Sequence, residues 1–527
     1  MPDATFACPD LTTFCRLDEL GLEVTGQRVQ PDRTLLACRI VDEDRWCRRC
    51  GEEGSPRDTV TRRLAHEPFG WRPTTLLVTI RRYRCAGCRH VWRQDSSAAA
   101  EPRATLSRRA LRWALEALVC QHLSVARVAE GLAVSWNTAN NAVLTEGQRV
   151  LIADPARFDG VRVIGVDEHV WRHTRRGDKY VTVIIDLTPV RDKSGPARLL
   201  DMVEGRSKRA FQQWLAEREE SWREGLEVVA MDGFSGFKTA ATEELPDAVT
   251  VMDPFHVVRL AGNALDECRR RVQLATCGHR GRTTDPLYRS RRTLQTGADL
   301  LTDKQKTRLQ TLFAVDAHAE VEATWTMYQR TVAAYRHPDR KKGRALMAAL
   351  ITTLSADVPK PLQELITLGR TLKKRAADVL AYFDRPGTSN GPTEAINGRL
   401  EHLRGSALGF RNLTNYIARS LLETGGFKPQ LHRHSRNTKC GLIHPGSGAV
   451  PIHVSVVRQL TGAGALRRRG LGSRDHVLSR QSDVASSTGT SSPASAINSA
   501  ASQPITSVSG CPNARLGSAT GSRSTPR

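Results

Sequence analysis

Two pairs of cysteines, and several acids that stand directly after apolar runs, are the residues of this sequence best suited to chemistry. Cys47-Arg-Arg-Cys50 and Cys85-Ala-Gly-Cys88 are C-x-x-C knuckles. Each two-residue spacer lets a tight turn aim both sulfurs at one ion, and four thiolates in two close pairs suit tetrahedral Zn2+ in a structural role. The acids follow a second pattern. An apolar run from Val161 enters Asp167 and Glu168, another from Leu226 stops at Asp232, and a third from Ala248 stops at Asp253-Pro-Phe-His256. A carboxylate at the end of a buried strand reaches the rim of the sheet, where oxygen ligands can hold a hard divalent cation. Glu168 should point away from Asp167 if the strand persists. Asp253 reads as the cap of the helix that follows, with metal ligation the alternative, and His256 as a hydrogen-bonded core histidine or a group that orients phosphate or a carboxylate.

The elements needed to position these groups divide the chain into six stretches. Residues 1–100 hold short β-type runs, notably Thr34–Ile40 and Thr74–Arg84, and are expected to form a β-rich zinc-binding module. In residues 101–150 the period changes to helical. Ser124-Val-Ala-Arg-Val-Ala-Glu-Gly131, then Leu132-Ala-Val-Ser135-Trp-Asn-Thr-Ala-Asn-Asn141, reads as helix, Gly-containing turn, helix, with Ser124 and Ser135 as N-caps. Residues 151–258 give three strands, a helix over Ser207–Trp222, then further strands, the order expected of a ribonuclease-H-like α/β core. Residues 259–385 read as a helical insertion and 386–438 as C-terminal helices of the core. From 439 to 527 the chain is low in complexity, without Phe, Trp, Tyr, Lys or Glu from Cys440 onward, and its composition predicts disorder.

The 527 residues carry 78 Lys plus Arg against 55 Asp plus Glu, a net charge of +23 with pI about 10.0. That balance favours a polyanionic partner, nucleic acid first. Arg81, Arg82 and Arg84 on the run ending in Cys85, and Trp136, Asn137, Asn140 and Asn141 on the second helix of the helix-turn-helix candidate, are the expected DNA contacts. Solvated basic faces and a plain helical hairpin are the competing readings. Arginine runs at 269–271, 289–292 and 340–344 add candidate contacts in the insertion, an exposed helix face being an equal alternative. No apolar run approaches the ~20 residues that span a bilayer, and the N-terminus lacks the pattern of a secretory signal, so an intracellular protein is expected.

Gly165-Val-Asp-Glu-His-Val-Trp171, Met231-Asp-Gly-Phe234, Asp253-Pro-Phe-His-Val-Val258, Ser389-Asn-Gly-Pro-Thr-Glu394-Ala-Ile-Asn397-Gly-Arg-Leu400 and Leu408-Gly-Phe-Arg411-Asn412 resemble the transposases of the ISL-three family of bacterial insertion sequences. The double knuckle and helix-turn-helix fit the same order, and the resemblance runs from about Cys47 to Lys428. It implies a DDE-type enzyme with the triad on Asp167, Asp232 and Glu394, holding two Mg2+ ions or Mn2+ in their place. Its partners would be the terminal inverted repeats and target DNA, engaged by at least a homodimer in a bacterial cytoplasm at the nucleoid. Thr393-Glu-Ala departs from the more usual aliphatic-Glu-Gly, with the carboxylate retained. Residue spacing agrees with this assignment: Glu394 opens a helix after a Pro/Gly turn, with Asn397, Gly398 and Glu401 on its face.

The main rival is a catalytically inactive DNA-binding regulator on the same scaffold. A serine or tyrosine recombinase lacks its Arg-lined nucleophile here. A nucleotide-driven motor fails on spacing, since Gly233-Phe-Ser-Gly236-Phe-Lys238-Thr239 has the wrong Gly-to-Lys interval for a phosphate loop.

Overall fold

The computed structural model describes residues 10–431 except 175–178, 280 and 357. These fall within one unit, Met1–Leu442. The low-complexity tail lies outside the described residues.

The first sheet comprises β1 (Leu22–Val29), β2 (Thr34–Ile40), β3 (Gly54–Phe69), β4 (Arg72–Cys85) and β5 (Val91–Arg93), in the order β1-β2-β4-β3 with β5 on the outer end of β4. In β4, Thr74, Leu76, Val78 and Ile80 alternate inward, the period-2 signature of a strand with one buried face. They pack with Leu22, Leu36, Cys38 and Leu64. β3 and β4 form one long hairpin closed by Gly70 and Trp71, both with positive φ (54° and 67°), as a two-residue turn of primed type requires.

Three helices follow: Arg108–Val119, Val125–Leu132 and Trp136–Gly147. Ser124 Oγ accepts the N–H of Arg127, and Ser135 Oγ that of Thr138, so both serines are the N-caps expected. The turn differs from expectation. Gly131 lies inside the second helix, where the ring of Trp113 packs so closely that a Cβ would stand 2.9 Å from Cη2. Ala133, in the left-handed region at φ 51°, makes the turn instead.

The second sheet has the order β10-β9-β6-β7-β8, from β6 (Val163–Val170), β7 (Tyr180–Asp186), β8 (Arg198–Glu204), β9 (Val228–Met231) and β10 (Val249–Met252). β6, β7 and β8 run antiparallel in succession, whereas β9 and β10 run parallel to β6. This mixed sheet, with helices packed on it, is consistent with a ribonuclease-H-like core. The helix expected over Ser207–Trp222 is broken into Lys208–Ala216 and Glu220–Glu224. At the break Arg218 folds back onto the Trp214 carbonyl (3.2 Å) and over the Trp214 ring, while Trp222 meets Trp214 edge-on.

From helix Pro254–Cys277 to helix Ala376–Asp384 the chain is helical around a separate apolar core that includes Leu265, Met347, Leu350 and Leu372. It returns to the sheet when Ala376–Asp384 packs on β10. Helices Gly391–Ser406 and Leu413–Thr424 then close over β6 and β8. No helix among the described residues is long and apolar enough to cross a membrane.

Candidate active site

Asp167 lies within β6 opposite Val183 of β7; the strand continues to Val170, so this acid does not end it. β9 stops at Met231, beside Val166, and Asp232 therefore follows where the parallel register sets it next to Asp167. Adjacent strands are ~4.8 Å apart. Asp232 closes a turn by accepting the N–H of Phe234 (2.9 Å).

Glu394 arrives from the far side of the insertion. It stands exposed on the first turn of helix Gly391–Ser406, with Pro392 at the helix start. One buried acid docks that turn. Asp253 accepts the N–H of Asn390 (2.8 Å) and the hydroxyl of Ser389 (3.2 Å) through one oxygen, and caps helix Pro254–Cys277 through the other at the N–H of His256 (3.3 Å). Asn390 Nδ2 donates to the carbonyl of Val166 (3.4 Å), and its side-chain oxygen accepts the Thr393 hydroxyl. Asp253 is thus a cap and a clamp. The helix start presses on β6 at Gly165, where a Cβ would fall 2.7 Å from Thr393 Oγ1 and 2.8 Å from Asn390 Oδ1. Gly165→Val should therefore push the Glu394 helix off the strand, destabilising the fold by ~1–3 kcal/mol in urea denaturation; an unchanged midpoint would contradict this packing.

Asn397, one turn after Glu394, donates through Nδ2 to Asp167 Oδ2 (2.9 Å), while Asp167 Oδ1 accepts the N–H of Glu168 (2.8 Å). The carboxyl of Asp167 is pushed up to about 7. Burial is the main cause; the Glu168 N–H opposes it, and the like charges of Asp232, Glu168 and Glu394 add to it. Glu168 points outward onto Arg206 (3.1 Å), as the alternation of the strand required. His256 rests its ring on Gly233 and receives Arg259 at Nδ1 (2.7 Å), and burial is the main cause that lowers its imidazole below the usual range. Glu401 pairs with Arg404.

Like-charged carboxylates crowded at one sheet edge, with a buried acceptor beside them that has no donor (Asn397 Oδ1), form a donor set that fits a divalent cation. The oxygens of Asp167, Asp232 and Glu394 do not all lie within 4.8 Å of one another, a spacing met among the described residues only by the four cysteines. A pair of ions about 3.5–4 Å apart spreads its ligands wider than one ion does. The raised carboxyl of Asp167 has a signed consequence. Below about 7 it holds a proton that a cation must displace, so divalent-cation affinity should fall as pH drops through that value, by up to about tenfold per unit. In the metal-free fold the sign reverses: stability is lost as pH rises through about 7, and Asp167→Asn should remove that loss. Mn2+ titrations at pH 6 and 8 check the first effect, and equal affinities would contradict it.

At the other end of the chain, Cys47 Sγ lies 3.6 Å from Cys88 Sγ, and Cys50 Sγ lies 3.3 Å from Cys85 and 3.5 Å from Cys88. Four sulfurs at ~2.3 Å from a tetrahedral zinc are spaced about 3.8 Å apart, so the cluster fits that ion and a zinc ribbon. The N–H of Cys88 points at Cys85 Sγ (3.4 Å). Burial opposes ionisation of Cys47, but the N–H groups of Arg49 and Cys50 outweigh it and bring the thiol down to about 7. Trp92 stacks on Tyr83 behind the knuckles and fills the space over Gly54.

The expected DNA contacts separate into available and engaged side chains. Trp136, Asn137 and Asn141 are exposed, whereas Asn140 is only 7% exposed and belongs to the interior of the helical unit. Arg84 is exposed, but Arg81 pairs with Glu43 (3.2 Å) and Arg82 with Asp58 through two nitrogens. In the insertion, Arg269 and Arg270 pair with Asp266, Arg271 with Glu364 and Glu320, and Arg344 with Asp384. Arg271 and Arg344 thereby tie helices together, whereas Arg269 and Arg270 pair within their own helix.

A mixed sheet with this strand order is consistent with a ribonuclease-H-like core. Residues 164–420 match the sequence model of the ISL-three family described as "Transposase". That matched segment is just under half of the chain. Among curated proteins, "Transposase for insertion sequence element IS1557" of Mycobacterium tuberculosis is 27% identical over 307 residues in both strain CDC 1551 / Oshkosh and strain ATCC 25618 / H37Rv. The match covers 53% of this chain and 64% of each relative.

Sequence reasoning missed that Asp253 clamps Asn390, that Asn397 holds Asp167, and that Gly165 makes room for Asn390 and Thr393. The signals were present in Ser389-Asn-Gly-Pro-Thr, a polar turn ahead of a helix, and in a glycine two residues before Asp167 within a β-branched run.

Proposed function

We propose that the chain is a DNA transposase that binds the inverted repeats of an insertion sequence and catalyses metal-dependent end cleavage and strand transfer. The observation that carries this reading is the meeting of three acids from distant parts of the sequence. Asp167 of β6, Asp232 after β9 and Glu394 beyond the insertion come close enough that the latter two raise the carboxyl of the first. The match of residues 164–420 to a transposase family model supports it.

Asp167, Asp232 and Glu394 would hold Mg2+, with Mn2+ as a substitute. Bound there, such ions activate a nucleophilic oxygen and neutralise charge on the attacking and leaving oxygens of an in-line displacement. The chain's own residues do the positioning. β6 and β9 fix two carboxylates side by side, Asn397 aims one oxygen of Asp167, and Asp253 sets the helix that delivers Glu394. Phosphoryl transfer between DNA oxygens needs no covalent protein intermediate, so positioning and charge neutralisation supply most of the effect. Cleavage by water frees a 3′-hydroxyl, which then attacks a target phosphate. The exposed Trp136, Asn137 and Asn141 would recognise duplex DNA, with the zinc-held sheet and Arg84 beside them. Two ends must be joined, so a homodimer on DNA is expected.

Incubating the purified chain with duplexes bearing the element's ends tests this reading. Strand breaks with 3′-hydroxyl termini should form with Mg2+ and stop with chelator. Binding without breakage would instead identify a regulator built on the same scaffold.

A further inference from the structure

The insertion and the active site meet at a buried knot of charge that the reaction as described does not use. Arg375 lies between helices Gln363–Lys374 and Ala376–Asp384 and is only 5% exposed. It pairs with buried Asp378, and Nη1 donates to the carbonyl of Gly233 (3.2 Å), the residue directly after Asp232. Asp378 also accepts Lys238 Nζ (2.8 Å), from helix Ser235–Glu244, and the hydroxyl of Thr250 (2.8 Å) on β10. The second terminal nitrogen of Arg375, Nη2, is buried without a partner. Two cations thus surround one carboxylate. One of them spends a hydrogen bond on the turn that carries Asp232.

A guanidinium is a rigid fork, and a buried one is costly unless its geometry is put to use. The opposite side of the same turn is closed by His256, whose Nε2 would stand 2.2 Å from a Cβ on Gly233. The turn is therefore gripped between the first helix of the insertion, which carries His256, and the junction of its last two helices, which carries Arg375.

We propose that Arg375 is a positioning residue: the helical insertion sets the placement of Asp232 through the Arg375–Asp378 pair and its bond to the Gly233 carbonyl. The inference rests on Asp232 being a metal ligand, as read above. It gives the insertion a role beyond spacing Glu394 from the other acids. Any displacement of the last two insertion helices, including one driven by DNA, is passed to the Asp232 turn by a hydrogen bond.

The test uses the full chain and two readouts other than catalysis: Mn2+ affinity, from the free-ion paramagnetic signal at pH 8, and hydrogen exchange of amides 232–236. In Arg375→Met, Asp378 keeps Lys238 and Thr250, so the sheet contact survives. Mn2+ affinity should fall about tenfold to a hundredfold. Exchange at 232–236 should quicken while that of β10 stays as in wild type. Arg375→Lys keeps the charge without the fork and should recover part of both losses. Lys306→Met, which removes an exposed lysine paired only with Asp303 of its own helix, should change neither readout. If Arg375→Met retains wild-type Mn2+ affinity and exchange, the proposal is overturned. Should Arg375→Met fail to fold, wild-type values in Arg375→Lys overturn it equally. A wild-type chain that binds Mn2+ yet never breaks end duplexes would sink the transposase reading and leave this one standing.

Discussion

Asp232→Asn is expected to abolish end cleavage by the full chain, lowering it about a thousandfold or more, ~4 kcal/mol of transition-state stabilisation. The substitution isolates charge from structure. Asp232 holds its turn by accepting the N–H of Phe234, and an asparagine oxygen can accept the same bond. Duplex binding should stay within about twofold, because the helix-turn-helix and zinc-held sheet are separate elements built by residues before 150. With one like charge removed, the carboxyl of Asp167 should move down from about 7, since Asp232 is among the groups that raise it. Single-turnover cleavage at saturating duplex measures the first effect. Retention of wild-type cleavage by Asp232→Asn would refute the assignment.

The second large effect is expected at the knuckles. Removing zinc, or replacing Cys50 by Ser, should cost the zinc-binding end of the first sheet on the order of 10 kcal/mol. The reason is the small size of what remains. Behind the four cysteines the apolar cluster consists of Cys47, Tyr83, Cys85 and Trp92, separate from the core formed by Leu22, Leu36, Leu64 and Leu76. Bound zinc would therefore substitute for a core in fixing the start of β3, the end of β4 and β5. Chelation should expose four reactive thiols per chain and shift Trp92 fluorescence to the red as its stack on Tyr83 opens. Zinc content, thiol titration and emission can be followed together. A chelated chain that kept its unfolding midpoint and buried Trp92 would contradict a structural role for the ion.

The sequence was legible where chemistry depends on neighbours along the chain. The C-x-x-C spacers, the serine caps at 124 and 135, and acids after β-branched runs are local patterns with local causes, and the structure reproduces the elements they announce. Its limits lie where the cause is tertiary. Gly131 read as a turn residue because glycine tolerates positive φ, yet it serves to admit Trp113, and Ala133 takes the left-handed position. Asn140 shares a helix with Asn137 and Asn141, but only packing shows that its face turns inward. Arginine runs in the insertion read equally as a surface for DNA and as an exposed helix face. Asp266 stands at helical spacing from Arg269 and Arg270, but Glu320, Glu364 and Asp384 lie about forty to ninety residues from their partners, with no pattern linking them. The acids themselves show both sides. Asp167 and Asp232 could be read from strand endings, although Asp167 turned out to lie inside its strand. Glu394 was singled out by resemblance, because its approach depends on Asp253 capturing Asn390 after the whole insertion has folded.

The proposed site joins a match of residues 164–420 to a transposase family model with three acids drawn from distant parts of the chain. Anomalous scattering from Mn2+, in crystals of the chain grown at pH 8 with a cleaved-end duplex, addresses them most directly. Manganese density bracketed by the carboxylates of Asp167, Asp232 and Glu394, beside the 3′-hydroxyl of the duplex, is the expected result. Crystals that hold the duplex but show no manganese at these three acids would contradict the proposed metal-dependent site.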